Sequence, residues 1–299
     1  MTEKTRVLVA GATGYIGGRV LEGLHEKGFW TRALVRGDRS RLAQPDAADD
    51  VFSGEATQKE TISGLCDGID VVFSSLGFHS AARKPTIWGI DYQANMNIFE
   101  EAKKSGVKHF VFITTVRGQE MAKHSPIAEA REKVARAIID SGMDYTILRP
   151  TGFFNDMNYN FDMAAKKGKI WLIGDPMVKM NPLNGLDLAD EVVECISDPA
   201  RRNTEKDVGG PEVFTRQQIC EMAFDVLDKP VQIKSVPIWV LDAIGKAIRP
   251  FHYNINALIK FLVFTFKTPD MTGELCGHRT LRDHFENRAK ELGCAAPGS

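Results

Sequence analysis

The fold of this chain is decided by residues 6–21, RVLVAGATGYIGGRVL. The apolar run that begins this stretch is rich in valine and leucine and predicts a buried strand. Three spaced glycines follow, and an apolar periodicity then predicts a helix that ends at Gly28. The stretch is therefore a strand, a glycine turn and a helix in that order.

This order is typical of a turn that binds phosphate groups. Gly11 permits the tight turn, Gly14 lets backbone amides approach a pyrophosphate, and Gly17 lets the helix pack closely on the strand. A three-glycine pattern alone also occurs in turns that bind nothing, so its position in the first strand and helix carries the argument. We expect a bound dinucleotide. Its expected contacts in this stretch are Gly11, Thr13, Gly14, Tyr15 and Ile16.

The rest of the first half alternates strands with helices. Apolar runs predict further strands at 31–36, 50–53, 70–74, 109–115 and 145–148, and helical spacing predicts helices such as 88–104 and 127–141. This alternation predicts an α/β fold with a Rossmann-type, doubly wound parallel sheet. This regular alternation of strands and helices ends after Phe154. We therefore expect a dinucleotide-binding domain at 1–154 and a smaller C-terminal α/β substrate lobe at 155–299, with some of its elements returning to the sheet.

Composition excludes several classes of protein. The 299 residues are 43% hydrophobic and 26% charged, which is typical of a soluble globular chain. A formal net charge of -1 gives no basic surface for nucleic acid. The five cysteines and seven histidines lack metal-ligand spacing, so no metal is expected. No apolar run approaches the ~18 residues of a membrane span, and the N-terminus runs directly into the first strand, so we expect a cytoplasmic protein.

Arginines follow the second predicted strand. In this fold the strand ends beside the adenosine ribose, where an acidic residue binds a free 2′-hydroxyl and an arginine binds a 2′-phosphate. Arg36 stands at this place and Arg39 follows closely. This favours NADPH over NADH as the cofactor. The alternative is that these arginines belong to a solvated loop.

Further motifs lie downstream, at 91–97 (DYQANMN), 149–154 (RPTGFF), 181–183 (NPL) with 187–189 (DLA), and 209–212 (GGPE). Together with GATGYIG and the LVR of 34–36, they resemble the atypical short-chain dehydrogenase/reductases, in the branch near divinyl chlorophyllide reductases and isoflavone-reductase-like proteins. The resemblance runs from Arg6 to about Pro237. It implies an NADP-binding Rossmann lobe followed by a lobe that selects the substrate. Further cofactor contacts are expected at Leu76, Gly77, Lys133, Pro150, Thr151, Gly152 and Phe153.

The active site departs from the commonest form of that family. Most members carry a tyrosine four residues before a lysine; Lys133 resembles this lysine, but Glu129 holds the place of the tyrosine. Because that tyrosine passes a proton to a carbonyl oxygen, ordinary ketone reduction is not expected. The divinyl-reductase-like relatives also lack it and reduce a carbon–carbon double bond. The resemblance therefore implies hydride transfer to a conjugated alkene or a related small apolar substrate.

Two residues are expected in the catalytic centre, each with an alternative role. Lys133 borders the apolar helix face, since it lies about 60° around the helix from Ala130, which suits a ribose contact. Lys133 and Glu129 are also placed to form a surface ion pair at i and i+4. Thr115 resembles the active-site serine or threonine of the family, and the alternative is a hydroxyl that bonds its own strand end.

The second half contains the apolar run 258–266, which is too short to span a membrane. It is expected either to form a lid over a large apolar substrate, opposite Met157, Tyr159 and Phe161, or to pack in the core.

A second functional hypothesis is a non-enzymatic NADP(H)-binding regulator or assembly factor that keeps the pocket and lacks catalysis. An epimerase or dehydratase is disfavoured by the missing tyrosine. The sequence does not predict the oligomeric state.

Overall fold

The structure is a computed structural model and describes residues 4–78 and 82–294. Its strands are β1 Arg6–Ala10, β2 Trp30–Val35, β3 Asp50–Ser53, β4 Val71–Ser74, β5 His109–Ile113, β6 Asp144–Pro150, β7 Ile170–Ile173, β8 Lys179–Met180, β9 Thr204–Gly209, β10 Phe214–Thr215, β11 Ile233–Val236, β12 Asp270–Met271 and β13 Glu274–Leu275. Its α-helices are α1 Tyr15–Glu26, α2 Asn95–Lys104, α3 Gly118–Met121, α4 Pro126–Ile139, α5 Phe154–Lys167, α6 Gly185–Ser197, α7 Arg216–Val226, α8 Ile238–Ile248, α9 Tyr253–Lys267 and α10 Leu281–Glu291. Within these described ranges, no helix is both long enough and apolar enough to cross a membrane.

A parallel sheet forms the centre of the molecule. Its eight strands follow the order β13-β9-β6-β5-β4-β1-β2-β3, and every neighbouring pair is parallel. Strand order reverses between β1 and β4, where adjacent crossovers leave in opposite directions and open a crevice at the carboxyl ends of the strands. This arrangement confirms the predicted Rossmann-type, doubly wound fold.

Helices cover both faces of the sheet. One face packs against α1 and α6 through buried residues that include Val20, Leu24 and Val192. The opposite face packs against α2 and α4 through residues such as Ile98 and Val134. Because both faces are covered, the central strands are apolar without alternation, and β4 and β5 are buried along their whole length.

The second half packs around a second core, to which Val116, Met121 and Ala128 of the first half also contribute. Strand β7 pairs with β11, and β8 pairs with β10 and β12, while α5, α7 and α10 pack around them. This half also returns to the main sheet, since β9 pairs with β6 and β13 pairs with β9. The predicted domain boundary after residue 154 falls at the first turn of α5.

Local geometry differs from the prediction at 88–104. The first part, Trp88–Ala94, is a π-helix, and the α-helical part starts at Asn95. The Asn95 side-chain amide donates to the carbonyl oxygens of Ile90 and Asp91 at 3.2 and 3.1 Å. A side chain inserted into the backbone hydrogen-bond pattern is a recognised cause of such an irregular turn. Periodicity alone does not reveal it.

Candidate functional site

One cavity of about 1140 Å³ lies at the carboxyl ends of β1, β2, β4, β5 and β6. It extends from the glycine turn at Gly11 to the apolar side chains of α9, among them Phe261 and Leu262. Its volume exceeds the roughly 300–1,000 Å³ of a typical ligand pocket. The cavity therefore has room for a dinucleotide and a second molecule beside it.

The glycine turn fits a pyrophosphate. Gly11 has a φ of 92°, which favours glycine, and a Cβ at Gly17 would overlap the Gly11 carbonyl oxygen. Helix α1 begins after Gly14 without a side-chain cap. Its first amides therefore face the cavity with no side chain competing for them, as anion binding at a helix N-terminus requires.

Tyr15 closes the wall next to this turn. Its hydroxyl accepts a hydrogen bond from the Gly185 amide at 3.2 Å, and its ring meets Phe153 edge-on with 6.0 Å between centroids. Burial raises the pKa of the Tyr15 phenol. The residue thus links α1 to α6 and to the start of α5, and a raised pKa makes it a poor proton donor.

The ribose end of the cavity carries both signs of charge. Arg36 lines the cavity at the end of β2, and its guanidinium lies 3.6 Å from the carboxylate of Glu55, which also lines it. Arg39 points elsewhere: its Nη1 donates to the backbone carbonyl oxygens of Pro45 and Ala48 at 2.7 and 2.6 Å. Arg36 therefore faces the cavity, as predicted, whereas Arg39 holds its own loop.

A buried ion pair stands where β4 and β5 end. Arg131 of α4 lines the cavity and donates from Nε to Asp91 at 2.7 Å, and Asp91 also accepts the Phe78 amide at 3.0 Å. Burial raises the pKa of Asp91, and the Arg131 guanidinium opposes that rise. A Cβ at Gly77 would overlap the guanidinium, so the backbone passes directly over it.

The predicted catalytic residues occupy different places. Thr115 lines the cavity, and no partner for its hydroxyl occurs among residues 4–78 and 82–294. Lys133 does not line the cavity; its ammonium lies 2.9 Å from the Glu129 carboxylate and 4.9 Å from the Trp88 ring centroid. The structure thus forms the ion pair that the sequence offered as an alternative.

Most other predicted contacts meet in the cavity. The predicted residues that line it are Gly11, Thr13, Gly14, Tyr15, Ile16, Arg36, Leu76, Gly77, Thr115, Pro150, Thr151, Gly152 and Phe153. Sequence reasoning missed Arg131 and its partner Asp91. Asp91 belongs to a motif that was recognised without a role, and Arg131 lies two residues from Lys133 on the same helix.

The far end of the cavity is apolar. Leu258, Phe261, Leu262 and Phe266 of α9 line it, and Met157 and Tyr159 of α5 line it as well. Helix α9 also buries Phe264 in the core of the second half. The run 258–266 therefore lines the cavity and also contributes to the core, and its role as a lid over a substrate stays a prediction. Phe161 was expected to face the substrate, but it is fully buried against Phe285.

Known proteins resemble this chain in sequence and in fold. The sequence model of a family described as NAD(P)H-binding matches residues 11–199. Divinyl chlorophyllide a 8-vinyl-reductase, chloroplastic, of Oryza sativa subsp. indica is 30% identical over 267 residues, which cover 81% of this chain and 65% of that protein. Photosystem II assembly factor Ycf39 of Synechocystis is 26% identical, covering 84% of this chain and 77% of that protein. The crystal structure of an isoflavone reductase superposes with a TM-score of 0.71 at 16% identity, covering 96% and 100% of the two chains.

The chain covers less than two thirds of the length of its divinyl-reductase relatives, between 62% and 66%. The family match, residues 11–199, includes the glycine turn and the strands β2, β4, β5 and β6 that bound the cavity. The family whose model matches is described as NAD(P)H-binding, and its match includes the glycine turn.

Proposed function

The chain belongs to the NAD(P)H-binding family, as an atypical short-chain dehydrogenase/reductase, and we propose that it is an NADPH-dependent reductase of a conjugated alkene or related apolar substrate. One observation carries the proposal: a single cavity joins the glycine turn to the apolar surface of α9, and Arg131 stands between them. The similarity to a vinyl-reductase supports the reaction class. The cytoplasmic location and the division at residue 154 remain predictions.

The preference for NADPH rests on Arg36. Arg36 follows the last residue of β2 and lines the cavity. In folds of this type the adenosine ribose binds beside the end of this strand. A guanidinium forms paired hydrogen bonds with phosphate oxygens, and the second charge of a 2′-phosphate strengthens them. Glu55 competes for the same guanidinium. We therefore propose a preference for NADPH that is real but reduced by this acid.

The nicotinamide, when bound, supplies a hydride to the substrate. The residues of this chain orient and polarise that substrate. Asp91 fixes the Arg131 guanidinium at the ends of β4 and β5, where its charge stabilises electron density that develops on an acceptor group. The free Thr115 hydroxyl provides a donor beside it. Burial raises the pKa of Tyr15 and makes it a poor proton donor, so we propose that water supplies the proton.

The test is oxidation of NADPH by the purified protein, followed by absorbance, across apolar enones and polyenes. We expect turnover of at least one conjugated alkene and none of simple ketones. Removing Arg131 alone would leave the Asp91 carboxylate buried and unpaired, which would lower the stability of the fold by ~3–5 kcal/mol. The informative variant is therefore Arg131→Leu combined with Asp91→Asn, which should lower kcat by at least about tenfold. Lys133→Gln is the matched control and should leave kcat nearly unchanged.

A second candidate is the NADP(H)-binding regulator or assembly factor. It is favoured by large apolar side chains that are exposed on α8, on α9 and in the turn between them, among them Trp239, Phe251 and Tyr253, and by the similarity to an assembly factor. Exposed apolar surface of this kind often contacts a partner. NADPH binding without turnover of any substrate in the panel would favour this candidate over the reductase.

A further inference from the structure

A buried arginine lies at the apolar end of the cavity. Arg216 is the first residue of α7, which Thr215 caps, and only 7% of Arg216 is exposed. It lines the cavity beside Ile173 and Phe266. Arginine is rarely buried without a charged partner. Neither the glycine turn nor the Arg131 centre uses this residue, so its charge requires a separate explanation.

The contacts of Arg216 leave part of its guanidinium free. Nη1 donates to the carbonyl oxygens of Ile173 and Asp175 at 2.6 and 3.3 Å, and the guanidinium carbon lies 3.8 Å from the Phe266 ring centroid. Nε and Nη2 have no hydrogen-bond partner within residues 4–78 and 82–294. In that same part of the chain, no carboxylate forms an ion pair with Arg216.

A charge in this position is costly to the free protein. Burial lowers the pKa of Arg216 to about 10, so the side chain stays protonated at neutral pH in spite of the apolar surroundings. Taking a charged group out of water is unfavourable unless an opposite charge and hydrogen bonds compensate. The two backbone carbonyl oxygens and the Phe266 ring carry no full negative charge. The nearby Asp175 carboxylate attracts the guanidinium without forming an ion pair, so it offsets the cost of burial only in part.

A ligand can supply the missing charge. A guanidinium offers two parallel N–H donors to the two oxygens of a carboxylate, and Nε with Nη2 form one such pair. Around them the cavity is lined by Ile219, Met271 and other apolar side chains. We propose that Arg216 binds the carboxylate of a substrate whose remainder is apolar. This inference rests on the proposed function, for which it narrows the substrate class to apolar carboxylic acids.

The competing explanation is a structural role. Through Ile173 and Asp175, Arg216 fastens the end of β7, and through Phe266 it contacts α9. A purely structural arginine would affect folding and would bind a neutral ligand as well as an anionic one. The decisive comparison is therefore between an acid and its uncharged ester in the unmodified protein, because this comparison needs no substitution.

The probe is cis-parinaric acid, a conjugated polyene acid whose fluorescence rises in apolar sites, measured against its methyl ester with and without NADP⁺. We expect the full chain to bind the acid at least about tenfold more tightly than the ester. Arg216→Met should reduce the affinity for the acid to that for the ester, and Arg216→Lys should retain part of it. Lys260→Met, which removes an exposed cation of α9 outside the cavity lining, is the matched control.

Equal affinity of the unmodified protein for acid and ester overturns the proposal, and so does failure of the acid to bind. If Arg216→Met does not fold, the comparison in the unmodified protein decides alone. NADPH affinity is measured separately with the same samples. Loss of the acid preference with intact NADPH binding rejects the role of Arg216 only, whereas absent NADPH binding contradicts the reductase and leaves the acid–ester comparison valid.

Discussion

Replacing Arg36 with glutamine should remove the preference of this protein for NADPH. Arg36 lies at the end of β2 and lines the cavity, with 59% of its side chain exposed. Its guanidinium is 3.6 Å from the Glu55 carboxylate, and it contributes nothing to the core. The substitution therefore changes the charge at the ribose end of the cavity without disturbing the fold.

The size of the effect follows from this geometry. A hydrogen bond to a charged group contributes about 1.5–3 kcal/mol to binding. The lower half of that range applies because Arg36 is exposed to solvent and shares its charge with Glu55. At about 1.4 kcal/mol per factor of ten, Arg36→Gln should weaken NADPH binding roughly 10- to 40-fold. NADH has no phosphate at this position, so the affinity for NADH should change by less than about twofold.

The assay is a direct titration of both cofactors at two salt concentrations. Arg41→Gln is the matched control, because Arg41 is an exposed arginine of the same loop outside the cavity lining. Glu55→Gln should strengthen the binding of NADPH by up to about 1 kcal/mol, since it removes the carboxylate that competes for Arg36. The higher salt concentration should reduce the differences in NADPH affinity between these variants and the unmodified protein. Equal NADPH and NADH affinities in the unmodified protein, or equal losses in Arg36→Gln, would refute the reasoning.

Three further outcomes follow from the packing. Gly17→Ala should abolish cofactor binding because the added Cβ would overlap the Gly11 carbonyl oxygen. Gly18→Ala is the control: its Cβ would lie 3.4 Å from the nearest atom, so this variant should bind the cofactor normally in the same titration. Leu258→Ala should raise the KM of an apolar substrate up to about tenfold with NADPH affinity unchanged, and an unchanged KM would exclude the lid. Burial lowers the pKa of His109 from 6.5 to about 4, so the unfolded chain binds the extra proton between these values. Stability should fall by ~3 kcal/mol as pH drops from 6.5 to 4, and His109→Gln should flatten that part of the denaturation profile against pH.

The sequence alone determined the fold and the cofactor end of the site. The turn from Gly11 to Gly17 has a local cause, because a tight turn and a close helix need glycine whatever surrounds them. Alternating strands and helices then allow essentially one handedness of crossover, which fixes the parallel sheet. The carboxyl ends of its strands follow from that topology, so the sequence alone assigns Thr115, Pro150 and Gly152 to one cavity.

The tertiary structure decided which side chains enter that cavity. On α4, Arg131 and Lys133 flank the apolar face at Ala130 on opposite sides, about 100° and −60° around the helix. Periodicity cannot tell which flank meets the cavity. The packing of α4 against the π-helix Trp88–Ala94 and against α9 decides it, and buried Asp91 then holds Arg131 there. Arg216 became visible in the same way, because its burial depends on β7 and α9, which no local pattern brings to it.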